Sequence, residues 1–130
     1  MPFEPLPPED EQFATAIVHA SLQVHKTLGP GLLESVYEIC LAHELRKQGL
    51  DVRRQEPIAI VYDNTRFEEG FRFDLLVGER VLCEIKAVQA VHPVSLAQLL
   101  TYLKLMNLRL GFLINFHVPL IKEGIQRVVR

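Results

Sequence analysis

The sequence has few cysteines and no apolar run long enough to cross a bilayer as a helix. Its two cysteines, Cys40 and Cys83, are not arranged as CxxC, so we predict neither a zinc ribbon nor a disulfide framework. We interpret both as buried thiols kept in a reducing compartment, and we expect a cytoplasmic protein with no membrane association. The N-terminal stretch MPFEPLPPEDEQ is acidic and rich in proline, which is unlike a signal peptide.

The chain also lacks a strong charge of either sign. Fourteen Lys and Arg residues face sixteen Asp and Glu residues, which gives a formal net charge of −2. A tight nucleic-acid binder is usually coated with positive charge, and this balance argues against such a protein. A local basic patch remains compatible with this charge balance.

The length of 130 residues fits one domain, and we assign residues 1–12 to a tail and helix start and residues 13–130 to that domain. Hydrophobic periodicity predicts an α/β protein with the order α-α-β-β-β-α-β and a short last strand as an option. The predicted helices are 9–28, 33–48 and 94–106, and the predicted strands are 52–62, 67–77, 81–88 and 110–116.

The strands at 67–77 and 81–88 carry charges inside otherwise apolar segments. A two-residue loop between them would mix charged and apolar side chains on one face. A three-residue loop at 78–80 instead places Val77 opposite Val81 and makes one face wholly apolar, which is how register is normally set. We therefore predict the three-residue loop. The apolar face would comprise Phe73, Leu75, Val77, Val81, Cys83, Ile85 and Ala87.

With this loop, Asp74 lies directly opposite Glu84, with β-carbons about 5 Å apart. Lys86 projects from the same face as Glu84 because side chains alternate along a strand. Two close carboxylates repel unless a cation lies between them, and a hard divalent ion such as Mg²⁺ prefers oxygen ligands. The group suits metal-assisted hydrolysis of a phosphodiester, with Lys86 orienting or deprotonating the attacking water.

The pattern Asp74-x9-Glu84-x-Lys86 on adjacent strands between helices resembles the PD-(D/E)xK nuclease superfamily. Within that superfamily, GLLESVY at 31–37 resembles the signature of the bacterial GxxExxY proteins. Further similar stretches are VHKTLGPG at 24–31, DLLV at 74–77 and FLINF at 112–116. Phe73 stands where many members of the superfamily have proline. The resemblance extends over residues 13–130.

This resemblance implies a restriction-endonuclease-like core, in which a mixed sheet is flanked by helices. It also implies that Asp74, Glu84 and the backbone carbonyl of Ile85 bind Mg²⁺ or Mn²⁺, with Lys86 as the catalytic lysine. The implied activity is Mg²⁺-dependent hydrolysis of DNA or RNA.

Two more residues are site candidates because of the resemblance. Glu34, within the GxxExxY-like stretch, is a candidate for a further metal ligand. Gln98 and Tyr102, spaced i,i+4, resemble the Q-x-x-x-Y of RecB-like members, so Gln98 is a candidate catalytic-site residue. The alternatives are that Glu34 only favours the positive end of its helix dipole and that Gln98 is a solvated helix residue.

Other interpretations stay open. Asp74, Glu84 and Lys86 could form a cross-strand ion-pair ladder with Arg72. The same fold could also be a catalytically inactive module that binds nucleic acid or a protein partner. We expect nucleic-acid binding to be weak, and a homodimer or a protein partner that supplies specificity is compatible with the sequence.

Overall fold

The computed structural model describes residues 4–130, so the first three residues of the predicted tail lie outside it. Its elements follow the predicted order and include the optional last strand. The helices are α1 (Pro8–Leu28), α2 (Glu34–Lys47) and α3 (Val94–Met106), with a 3₁₀ turn at Ile121–Glu123. The strands are β1 (Val52–Tyr62), β2 (Thr65–Val77), β3 (Val81–Lys86), β4 (Leu110–Asn115) and β5 (Ile125–Val129).

The five strands form one mixed sheet in the order β1-β2-β3-β4-β5. The pairs β1–β2, β2–β3 and β4–β5 are antiparallel, whereas β3 and β4 are parallel. A parallel pair needs a crossover connection, and α3 provides it between β3 and β4. The mixed α/β sheet predicted from the sequence is confirmed, and it agrees with a restriction-endonuclease-like core.

Helices cover the two faces of the sheet. Residues of α1 and α2, such as Ile17 and Leu41, form one buried cluster with Leu75, Cys83 and Ile85 of the central strands. Leu99 and Leu103 of α3 form a second cluster with Phe73, Leu76 and Leu82. None of the helices between residues 4 and 130 combines the length and apolarity that a membrane span requires.

The connection between β2 and β3 has the predicted length. Val77 pairs with Val81 and Leu75 with Cys83, which leaves residues 78–80 as the turn. Gly78 and Glu79 both adopt positive φ there. The three-residue loop is therefore confirmed, and with it the register that brings Asp74 towards Glu84.

The predicted apolar face is wrong for one residue. Phe73 is fully buried, but it packs in the α3 cluster and not with Leu75 in the cluster under α1 and α2. Strict alternation would place Phe73 and Leu75 on the same face. The alternation breaks at Asp74, opposite Gln55, whose φ of 51° lies outside the extended region. The neighbouring pairs Arg54–Leu75 and Glu56–Phe73 keep their register on either side.

The loop between α1 and α2 is fixed from within by Tyr37. Its hydroxyl donates to the carbonyl oxygen of Gly29 at 2.6 Å and accepts the N–H of Leu32 at 3.0 Å. Its ring is fully buried and stacks on Phe116 with centroids 4.6 Å apart. Tyr37 is thus a core residue with a hydrogen-bonded hydroxyl, and it fixes the loop from which α2 begins at Glu34.

Replacing Tyr37 with Phe should lower the free energy of unfolding by about 1–3 kcal/mol, because two backbone groups of the loop lose their partner. Tyr62→Phe is the matched control, since Tyr62 is exposed near the tip of the β1–β2 hairpin, and we expect a change below about 0.5 kcal/mol. Urea denaturation of both variants measures the difference. Equal small effects would mean that the Tyr37 hydroxyl does not stabilise the loop.

Candidate metal and catalytic site

The candidate site forms where β2 and β3 stop pairing. Their last paired residues towards the site are Leu75 and Cys83. Beyond them, the Asp74 carboxylate accepts the backbone N–H of Ile85 through Oδ2 at 2.8 Å. A side chain of β2 thus occupies the position that a backbone carbonyl would hold in a continued ladder. The half-buried Asp74 carboxylate is therefore held against β3.

Glu84 is a buried carboxyl group beside this carboxylate. Only 8% of the residue is exposed, and burial raises the pKa of Glu84 to about 10, with the negative charge of Asp74 and a hydrogen bond to it contributing further. Among the described residues, Oε1 of Glu84 is buried and has no hydrogen-bond partner. A buried polar atom without a partner is uncommon and calls for a physical explanation.

Lys86 and Glu34 lie around the same pair. The positive charge of the half-buried Lys86 partly offsets the raised pKa of both Glu84 and Glu34. Glu34 is the exposed first residue of α2. Partial desolvation raises the pKa of Glu34, followed by the charge of Asp74.

The Ile85 carbonyl is directed to the side of β3 where Asp74 lies. The N–H and C=O of one strand residue point to the same neighbouring strand, and the N–H of Ile85 donates to Asp74. The next residue points the other way, since the carbonyl oxygen of Lys86 accepts the N–H of Phe116 at 2.9 Å. The Asp74 and Glu84 carboxyl groups are thus brought together, and the Ile85 carbonyl is directed to the same side of β3 as Asp74.

These groups fit a hard divalent cation. The Asp74 and Glu84 carboxyl groups lie side by side, and one Glu84 oxygen is buried without a partner among residues 4–130. The Ile85 carbonyl is directed to the Asp74 side of β3. Within residues 4–130, no three His, Cys, Asp or Glu side chains form a group that could hold an ion by themselves. Glu34 as a further ligand therefore stays a prediction.

The two candidates on α3 differ in their surroundings. Tyr102 is half-buried and stacks on Phe71 with centroids 4.1 Å apart. Burial raises the pKa of the Tyr102 hydroxyl, and the nearby charges of Glu84 and Asp74 raise it further. The charges of the carboxyl pair therefore act on Tyr102. Gln98 is exposed on the preceding turn, and its role in the site stays a prediction.

Sequence reasoning missed two residues of the site. Glu38, on α2, is buried and accepts hydrogen bonds from Arg54 at 2.8 Å and from Gln55 at 2.7 Å. Gln55 also donates to Oδ1 of Asp74 at 3.0 Å. The sequence does contain a sign of Glu38, because a charged residue stands between Tyr37 and Leu41 in the apolar stripe of α2. It contains no sign of Gln55, since an amide among charged residues is ordinary for an exposed strand.

Because of the carboxyl pair, the free energy of unfolding of the metal-free protein should fall as the pH rises. The unfolded Glu84 carboxyl ionises near pH 4.3, whereas the folded one keeps its proton up to about 10. Between these values the unfolded state binds fewer protons, so stability falls as pH increases. Glu84→Gln keeps the shape and a donor for Asp74 without this cost. We expect the variant in a chelator at pH 8 to be more stable by about 2 kcal/mol or more.

The measurement is urea denaturation of wild type and Glu84→Gln with chelator at pH 8 and near pH 4. The gain should disappear near pH 4, where the unfolded carboxyl is largely protonated as well. Glu123→Gln, at an exposed position of the 3₁₀ turn, is the control and should show no such gain. A loss of stability on Glu84→Gln at pH 8 would instead identify a structural ion pair.

A comparison with protein families agrees with this fold. The model of the PD-(D/E)XK nuclease superfamily matches residues 11–128, which include all elements from α1 to β5 in whole or in large part. Neither the curated proteins nor the solved structures contained a match. The family match supports a nuclease-like function at the level of the superfamily, whose nucleases generally depend on a divalent metal ion. The chain therefore belongs to the PD-(D/E)XK nuclease superfamily.

Proposed function

We propose that this protein is a metal-dependent nuclease that hydrolyses phosphodiester bonds of DNA or RNA. The observation that carries the proposal is the meeting of Asp74 and Glu84 where β2 and β3 separate, with a buried Glu84 oxygen that has no partner among the described residues. Within the superfamily we place the chain with the GxxExxY proteins, because Gly31, Glu34 and Tyr37 have the signature spacing.

In this proposal Asp74, Glu84 and the Ile85 carbonyl hold Mg²⁺ or Mn²⁺. The bound ion would neutralise phosphate charge and lower the pKa of a water molecule. Lys86, two residues after Glu84, supplies N–H donors at the edge of the group and orients the attacking water. Glu34, at the first turn of α2, would be a further residue available to hold the ion. Gln98 and Tyr102 form the side of the site that α3 provides.

Substrate affinity should be weak. The net charge is −2, and the arginines near the site are already engaged with protein groups. Arg54 pairs with Glu38, and Arg72 pairs with Glu69 and donates to the Gln55 carbonyl. Contacts to phosphate would therefore be few, and binding should weaken further as salt rises. A protein partner or a homodimer would be one source of additional affinity and specificity.

Replacing Lys86 with Ala should reduce single-turnover cleavage of labelled DNA or RNA by about 100-fold or more. Mn²⁺ affinity should stay within about threefold of wild type, because an ammonium group is not a metal ligand. Asp74→Ala should lose both cleavage and Mn²⁺ binding. Cleavage is followed on single- and double-stranded substrates with Mg²⁺ or Mn²⁺, and binding by calorimetry.

Lys104→Ala is the matched control, since Lys104 is exposed in the last turn of α3, and it should cleave like wild type. All proteins are purified in the same way. If wild type and Lys86→Ala have the same residual rate, that rate comes from a contaminant. The fold would then act as a binding module without catalysis.

A further inference from the structure

Gln55 adopts a backbone conformation that its place in a strand does not explain. Among residues 4–130, four residues other than glycine have positive φ: Gln55, Asp63, Glu79 and Asn107. Asp63 and Glu79 lie in turns, and Asn107 caps the C-terminus of α3. Gln55 alone among these four lies within a strand, at φ 51° in the middle of β1. The left-handed region is unfavourable for a residue with a β-carbon, so other contacts must hold it there.

Two carboxylates hold the Gln55 side chain. Its Nε2 donates to Oε1 of Glu38 at 2.7 Å and to Oδ1 of Asp74 at 3.0 Å. Both partners are acceptors, so the nitrogen end of the carboxamide must face them and give one hydrogen to each. Glu38 is buried on α2, and its other oxygen accepts from Arg54. The carboxamide is thus anchored to α2 on one side and to Asp74 on the other.

The backbone of Gln55 is held as well. Its carbonyl oxygen accepts a hydrogen bond from Arg72 of β2 at 2.6 Å. The pairs on either side, Arg54–Leu75 and Glu56–Phe73, keep their register. The left-handed residue is therefore a local rotation and not an inserted residue. The rotation accompanies the contact of its side chain with Asp74.

The Asp74 carboxylate is consequently held at both oxygens. Oδ1 accepts from Gln55 and Oδ2 accepts from the N–H of Ile85. Two donors in different directions fix the rotation of the carboxylate plane, and each oxygen keeps a lone pair for a further contact. Hydrogen bonds of this kind, from a neighbouring side chain to a ligating carboxylate, set ligand orientation in metal sites.

We propose that Gln55 is a positioning residue of the site, whose carboxamide fixes the Asp74 carboxylate between α2 and the backbone of Ile85. The part that concerns metal binding rests on the proposed nuclease function. The positioning of Asp74 does not depend on that function, because the contacts that define it are between groups of the protein alone.

Two substitutions separate this role from a structural one. Gln55→Gly relieves the left-handed backbone and removes the carboxamide, so the fold should be retained or strengthened while the positioning is lost. Gln55→Met keeps the length of the side chain and a β-carbon at this position but has no donor. Asp63→Gly is the control, because it makes the same backbone change at another left-handed residue, in the exposed turn between β1 and β2.

The first readout is the backbone amide of Ile85 in metal-free protein, measured by NMR. In Gln55→Gly and Gln55→Met its hydrogen exchange should become faster by about tenfold or more, since its acceptor is no longer held in place. Its proton resonance should also move upfield. Asp63→Gly should leave both values unchanged, and the urea midpoint of Gln55→Gly in chelator should not fall below that of wild type.

The second readout is the affinity for Mn²⁺ alone, measured by calorimetry. We expect it to weaken by about 10–100-fold in both Gln55 variants and to stay unchanged in Asp63→Gly. An Ile85 amide that is unchanged in both Gln55 variants overturns the proposal. If wild type takes up no Mn²⁺, the proposed nuclease function fails, and the Ile85 amide alone decides whether Gln55 positions Asp74.

Discussion

The close approach of two carboxyl groups at the point where β2 and β3 separate is the constraint on which the site depends. A continued ladder would have satisfied the Ile85 N–H with a backbone carbonyl, but here Asp74 accepts it and brings its charge against Glu84. Burial and like charge both oppose ionisation of Glu84. In the metal-free protein the Glu84 carboxyl therefore keeps its proton at neutral pH. A divalent cation is the group that would make the ionised form of both carboxyl groups favourable.

The elements around this pair hold it from three sides. From α2 come Glu34 at its first residue and Glu38 one turn later, and the Tyr37 hydroxyl fixes the loop that precedes them. From α3 comes Tyr102, which is stacked on Phe71 of β2. The register of β2 against β3 brings Asp74 and Glu84 next to each other. Side chains from helices on opposite faces of the sheet therefore surround the place where its central strands diverge.

The parts of this arrangement that follow from hydrophobic periodicity and loop length could be predicted from the sequence. The order of elements, the turn at 78–80 and the pairing of Val77 with Val81 all follow from placing apolar residues on one face. The face of Phe73 could not be predicted, because the alternation of β2 breaks at Asp74, opposite the left-handed Gln55, and no sequence pattern marks that break. Glu38 and Gln55 could not be linked to Asp74 either, since that contact requires the packing of α2 against β1 and β2.

One strand serves the fold and the chemistry at alternate residues. In β3, Cys83 and Ile85 are fully buried under α1 and α2, whereas Glu84 and Lys86 carry the charged groups of the site. Because successive side chains of a strand point to opposite faces, the core packing of Cys83 and Ile85 also fixes the direction of Glu84 and Lys86. A loop would leave those two side chains free to reorient. The rigidity that the proposed site needs thus comes from the same contacts that stabilise the sheet.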